Sequence, residues 1–169
     1  VFKSDVNGFP TPIDCVLNDG DEIIHGLQLI TTPGHTCGSV SYLHAESRTL
    51  ITGDSFQGCA TDGVGLALLK DLSAYRESIR RVMTLGARWL VAGHGFAPCD
   101  FVIKGTLYIR AFLQSCLDTV ARYEQFVAQH AELDDYVLAA MLVESEGRTL
   151  DKYIVRGDST ISACRKSQL

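Results

Sequence analysis

The stretch from Thr31 to Ser39, TTPGHTCGS, sets one histidine, His35, on a tight Pro-Gly turn directly after the apolar run Leu27 to Ile30. The pattern then returns twice. Asp54 follows Thr52 and Gly53 at the end of a second strand-like run, and His94 follows Ala92 and Gly93 at the end of a third. Each return leaves a metal-competent side chain just past a strand and beside a glycine. Glycine permits the sharp turns and close backbone approaches such positions need. A repeated strand, glycine turn and ligand brings residues distant in sequence to one edge of a sheet. This predicts an α/β fold with its chemistry at strand ends.

Composition narrows the function classes. Apolar residues make up 46% of the 169 and charged residues 21%, which is ordinary for a soluble globular protein with a core of its own. The net charge of −5 and the absence of any long basic run argue against a nucleic-acid surface. No apolar run approaches the ~20 residues of a membrane span. Cysteines at positions 15, 37, 59, 99, 116 and 164 contain no Cys-x-x-Cys pair. They read as reduced, mostly buried thiols in a cytoplasmic protein rather than as a disulfide framework or zinc ribbon.

Along the chain, residues 1–12 read as a loop. Two short runs around Gly26 read as a hairpin, and residues 39–44 and 49–52 read as a second one turning through Glu46, Ser47 and Arg48. Residues 57–65, with three glycines, read as an exposed loop. A helix capped by Asp71 follows. Its apolar stripe is Leu72, Tyr75, Ile79, Val82 and Met83, its end is at Gly86, and Glu77 is spaced to pair with Arg81. Trp89 to Val91 forms a short buried strand that delivers His94. After Pro98 a long stripe from Ile109 to Val127 predicts an amphipathic core helix, with Phe112, Tyr123 and Phe126 as packing residues. A shorter helix is expected from Leu133 to Ser145, stopping at Gly147. Residues 150–169 read as a strand or irregular tail.

Imidazole and carboxylate are expected ligands for zinc, iron or manganese, and a carboxylate is the usual bridge between two metals. In this order and with these flanks, the chain resembles the metallo-β-lactamase superfamily. The likeness runs from about Asn18 to Gly95. It takes in the Asp19-Gly20-Asp21 turn, the histidine turn, the hairpin into Thr-Gly-Asp, the helix from Asp71 to Gly86, and the closing Ala-Gly-His-Gly. The resemblance implies a site of two zinc ions, with His35 on the first, Asp54 bridging both and orienting the nucleophile, and His94 on the second. It also implies a metal-bound hydroxide attacking an ester, thioester, lactone, amide or phosphoester. The implied fold is part of an αββα sandwich. Residues 1–98 would form the C-terminal part of that domain, and residues 99–169 a helical extension packed on it.

The family's His-x-His-x-Asp-His motif is absent from the chain; before His35 there is only His25. Zinc sites use three or four protein ligands, so two histidines and one aspartate fall short of a two-metal site. The chain is therefore expected to be a fragment of a longer hydrolase that needs its N-terminal half, a partner chain or self-association. The alternative is a non-catalytic half-domain acting as an interaction module through its later helices. For substrate, a small molecule is expected. The segment after His94 lacks a cluster of Tyr with Lys or Arg, which disfavours glutathione thioesters. The acidic charge and the missing insertion between Asp54 and His94 disfavour RNA. The remaining polar residues have plainer readings: His25 and His44 as surface or packing groups, His130 as a helix-end cap, Ser39 as a turn residue, and Cys37 as filler. Cys59 is a lesser candidate for touching substrate.

Overall fold

The structure, a computed structural model, describes residues 15–58, 65–95, 99–148 and 154–168. The loop expected over residues 1–12, Cys59 and the boundary at residue 98 lie outside these. Six strands form one sheet in chain order. They are β1 (Glu22–Ile24), β2 (Leu27–Thr31), β3 (Val40–His44), β4 (Thr49–Gly53), β5 (Trp89–Ala92) and β6 (Val102–Lys104). All neighbours are antiparallel except β4 and β5. Parallel neighbours need a crossover, and helix α1 (Leu72–Thr84) lies within it. Because β2 and β4 both run antiparallel to β3, and β5 runs parallel to β4, the carboxyl ends of all three fall on one edge. That edge receives His35, Asp54 and His94.

Strand alternation sorts the sheet into two faces. On one, Leu43, Leu50, Leu90 and Ile103 stand directly opposite one another across four strands, all at most 7% exposed. They meet Leu72, Tyr75, Ile79 and Val82 of α1 in the core, together with Ile109, Phe112, Leu113, Cys116 and Val120 of helix α2 (Thr106–Gln129). Burying a leucine such as Leu50 or Leu90 fully stabilises the fold by roughly 1.5–3 kcal/mol. The other face carries a second register row: Leu29, Tyr42, Ile51, Val91 and Val102. None of these five belongs to that core. Leu29 is buried, Tyr42 and Val91 are half-buried, and Ile51 and Val102 are exposed.

Helix α1 starts and stops where expected. Asp71 accepts from the Ala74 N–H at 2.9 Å, and Gly86 takes φ +64° just past the end. Arg81, however, does not pair with Glu77. It reaches Asp19 at 2.7 Å, and Arg80 takes Glu77 at 3.6 Å. Helix α3 (Asp135–Ser145) is capped by Asp134, two residues later than the apolar pattern suggested.

Other expectations from the sequence are corrected. The final segment is helix α4 (Ile154–Lys166), not a strand or tail. Its β-branched residues and Gly157 lower helix propensity, but Thr160, Ile161, Ala163 and Cys164 are buried, and packing against the other helices overrides propensity. Strand β6 was not anticipated. Three residues give no readable alternation, yet they pair with β5 and continue the sheet past residue 98. At the described ends of the expected exposed loop, Gln57, Gly58 and Gly65 are buried. Of the five described thiols, Cys116 and Cys164 are buried, so the expectation of mostly buried thiols is not met among them. Cys15 and Cys37 are exposed and Cys99 is intermediate, and none of these five is in a disulfide.

Among the described residues, no helix is long and apolar enough to cross a membrane.

Candidate metal centre at the sheet edge

The histidine turn is docked on the start of α1. The Gly34 carbonyl accepts from the N–H groups of Lys70 at 2.9 Å and Asp71 at 3.1 Å, and the Pro33 carbonyl accepts from Ser78 Oγ at 2.8 Å. A Cβ on Gly34 would stand 2.6 Å from both Cα and Cβ of Tyr75. Only glycine allows this approach, so the Pro-Gly pair places His35 against the helix as well as turning the chain. Ser39 serves the turn: its hydroxyl accepts from the Thr36 N–H at 3.1 Å. Cys37 is exposed there.

At the ends of β4 and β5 the backbones close together. The Gly93 N–H donates to the Gly53 carbonyl at 2.9 Å. A Cβ on Gly93 would lie 2.6 Å from Asp54 Oδ1 and 3.1 Å from the Gly53 carbonyl carbon. The missing side chain leaves room for Asp54 Oδ1 to reach His94 Nδ1 at 2.6 Å. An ionised carboxylate can only accept, so the proton in this contact sits on Nδ1 and the imidazole lone pair falls on Nε2. Carboxylate-fixed tautomers of this kind are how metal-binding imidazoles are commonly oriented.

His35 is fixed in the same sense by different partners. Its Nδ1 lies 2.6 Å from the Leu68 carbonyl and 2.9 Å from Gln57 Nε2. The carbonyl can only accept and the amide nitrogen can only donate. The shorter contact puts the proton on Nδ1, and Gln57 Nε2 then donates to the Asp54 carbonyl at 3.2 Å. Gln57 Oε1 accepts from the Leu68 N–H at 2.7 Å, which settles which end of the amide is which. The backbone N–H of Gln57 donates to the Tyr75 hydroxyl at 3.2 Å; burial pushes that phenol well above its ordinary range and keeps it neutral. Beside this, Thr32 links Ser41 at 3.0 Å and Ser55 at 2.9 Å in a buried hydroxyl cluster. It ties the strand before His35 to the residue after Asp54.

Gln57 was missed in the sequence, because a glutamine next to a glycine-rich stretch looks like any solvated loop residue. Its position three residues after Asp54 was the only hint. Two of the other histidines have local partners: His44 Nδ1 meets Ser47 Oγ at 2.7 Å, and His130 Nδ1 donates to the Phe126 carbonyl at 2.9 Å, as expected of a helix-end cap.

The donors fit a metal centre in kind but not in number. Two ligands of one tetrahedral zinc are about 3.3 Å apart, given bonds of ~2.0–2.2 Å. At 2.6 Å the Asp54 Oδ1 and His94 Nδ1 atoms are closer than two ligands of one ion, so this contact is a hydrogen bond that orients the ring and not a shared ligand pair. Among the described residues, though, no group of three or more His, Cys, Asp or Glu side chains is placed to hold a metal. Asp54 and His94 meet directly, and His35 joins them only through Gln57. These residues make part of a metal centre, not a whole one.

Comparisons with known proteins agree with this fold. A family profile described as the metallo-beta-lactamase superfamily matches residues 3–95. An atrochrysone carboxyl ACP thioesterase of Aspergillus fumigatus is 33% identical over 51% of this chain and 27% of its own length. A hydroxyacylglutathione hydrolase of Rhodospirillum rubrum is 32% identical over 63% of this chain and 41% of its own. Among solved structures, a metallo-beta-lactamase family protein from Thermus thermophilus superposes with TM-score 0.63 at 23% identity, covering 94% of this chain and 51% of that one. A beta-lactamase domain protein from Burkholderia ambifaria gives TM-score 0.67 at 17% identity, covering 91% and 46%. The chain thus spans about half the length of these structures and less than half of these curated relatives. With its profile match, its fold and its strand-end glycines in agreement, the chain belongs to the metallo-beta-lactamase superfamily.

Proposed function

We propose that these 169 residues carry one side of the active site of a metal-dependent hydrolase acting on a small acyl substrate, such as an ester, thioester, lactone or β-lactam. The observation that carries this reading is the Asp54–His94 contact at the shared carboxyl edge of β4 and β5, with His35 held beside it. His35 and His94 each have Nδ1 occupied by an acceptor, which turns Nε2 into the ligand atom. Asp54 orients His94 through Nδ1; for its own carboxylate to reach an ion, this contact would have to open. Gln57 holds His35 and the Asp54 backbone in one frame. A zinc, iron or manganese ion bound there would supply Lewis acidity and lower the pKa of bound water. The further ligands would come from an N-terminal half, a partner chain or a second copy. The apolar row from Leu29 to Val102 on the open face of the sheet supports a requirement for such a partner.

The test has two parts. The gene should encode an in-frame His-x-His-x-Asp-His upstream of Val1, and the complete gene product should hydrolyse acyl esters or thioesters in a chelator-sensitive way. Asp54→Asn and His94→Ala should each cut kcat/KM by at least ~100-fold. The 169-residue chain alone should hold under one equivalent of tightly bound zinc by elemental analysis. A gene without the motif, whose product shows no chelator-sensitive activity, would sink the hydrolase reading and favour an interaction module.

A further inference from the structure

A groove runs between β6 and α2, with one end toward the edge that carries Asp54 and His94. Its direction follows from the pairing. Val102 lies opposite Val91 and Lys104 opposite Trp89, so β6 leaves the active edge as it proceeds. Helix α2 then returns toward it: Thr106 Oγ1 donates to the Ala87 carbonyl at the far side, while Gly58, four residues past Asp54, donates its N–H to Cys116 Sγ at 3.3 Å. Cys99, Asp100 and Ser115 thus mark the end near the edge, and Lys104 and Tyr108 the far end. Between them the walls are Val102, Ile103, Ala111 and Phe112, and the cavity measures about 310 Å³.

We infer that this groove holds the apolar acyl arm of the substrate, with the reacting carbonyl at the Asp54–His94 end. This inference rests on the hydrolase reading and adds the class of acyl group to it. The walls are mainly aliphatic and aromatic, as expected of a pocket that binds through apolar burial. At the end near the edge the lining is polar, with Asp100 and Ser115 beside Cys99, which suits the carbonyl end of the acyl group better than its chain. From Tyr108 to Ser115 the helix advances about 10 Å at ~1.5 Å per residue. The volume matches about ten water molecules at ~30 Å³ each. Both dimensions suit a medium-chain acyl group of about eight carbons better than an acetyl group. Binding here also covers apolar surface that is otherwise wet, since Tyr108 is 72% exposed.

The sole tryptophan, Trp89, reports on the groove, because Lys104 Nζ stands 4.8 Å from its ring. Fluorescence titration of the full 169-residue chain with an octanoyl thioester should give saturable change. The acetyl analogue should bind at least tenfold more weakly. Ala111→Phe fills the groove from an exposed helix position, so the fold should survive, and it should weaken octanoyl binding at least tenfold. Circular dichroism would confirm that the variant is folded. Equal response to both thioesters, or octanoyl binding unaffected by Ala111→Phe, would overturn the inference. So would a dimer in sedimentation that Ala111→Phe dissociates while neither thioester binds, because the groove would then be an interface between copies. Saturable octanoyl binding in a complete gene product that hydrolyses nothing would keep the groove and sink the hydrolase reading instead.

Discussion

Gln57→Leu is the substitution that isolates how the site is held. Gln57 is 5% exposed. Leucine removes the acceptor for the Leu68 N–H and the donor to the Asp54 carbonyl while filling similar space. Leaving the Leu68 donor unpaired costs about 1–3 kcal/mol, and loss of the bond to the carbonyl costs a further ~0.5–1.5 kcal/mol. The added apolar burial returns about 1 kcal/mol. The net expectation is a destabilisation of about 1–3 kcal/mol, or a drop of about 2–12 °C in Tm for a domain of this size. Urea unfolding followed by circular dichroism measures the first quantity. The second readout is the imidazole region of a two-bond 1H–15N spectrum. With Leu68 no longer anchored, His35 should change from a single Nδ1–H tautomer to a mixture. Gln57→Glu keeps an acceptor for Leu68 but sets a buried oxygen against the Asp54 carbonyl, so it should lose at least as much stability as leucine. A change below about 0.5 kcal/mol together with an unaltered His35 spectrum would refute the role assigned to Gln57.

Three further outcomes are expected. Gly34→Ala puts a methyl group 2.6 Å from the Tyr75 backbone, so α1 or the turn must move; we expect a loss of about 2–5 kcal/mol, and a urea midpoint shift worth less than about 1 kcal/mol would show the turn to be loosely docked. Gly93→Ala crowds Asp54 Oδ1 and should abolish the downfield Nδ1 proton resonance of His94, with a smaller effect on stability than Gly34→Ala. The hydrogen bond from Arg81 holds the Asp19 carboxyl down to about 2 from 3.8, with bonds from Thr31 assisting against burial. A folded-state value below the unfolded one means that the stabilisation is present above about pH 4 and is lost as pH falls through about 2. The stability difference between wild type and Asp19→Asn should therefore be flat from about pH 5 to 7 and shrink between about pH 4 and 2. Asp19 is partly exposed, so the effect is modest, and a difference that grows with acidity would contradict the assignment.

The parts legible in the sequence were those written as periodic pattern or punctuation. The stripe from Leu72 to Val82 between Asp71 and Gly86 specifies α1, and Ile109 to Val127 specifies α2, because both repeat a helical period for several turns. The glycines beside His35, Asp54 and His94 marked the strand ends that converge on one edge. What could not be read depends on tertiary partners. Strand β6 is three residues long and exists because β5 offers it an edge. Helix α4 has modest propensity and is held by packing around Thr160 and Ile161. Gln57 acquires its role only once Leu68, His35 and Asp54 meet around it. Arg81 was assigned to its helical neighbour Glu77, but Asp19 also offers acceptors to Thr31 and forms the better-anchored site.

The amide hydrogens of Lys70 and Asp71 both end on the carbonyl of Gly34, the residue before His35. Fraying at the start of α1 must then release the histidine turn, and movement of the turn must expose those two amides to solvent. Their exchange with deuterium is accordingly a clock for excursions of His35, readable without substrate or metal. Slow exchange at these positions would describe a ligand kept ready by a helix start, while fast exchange confined to them would describe one that visits its working position intermittently.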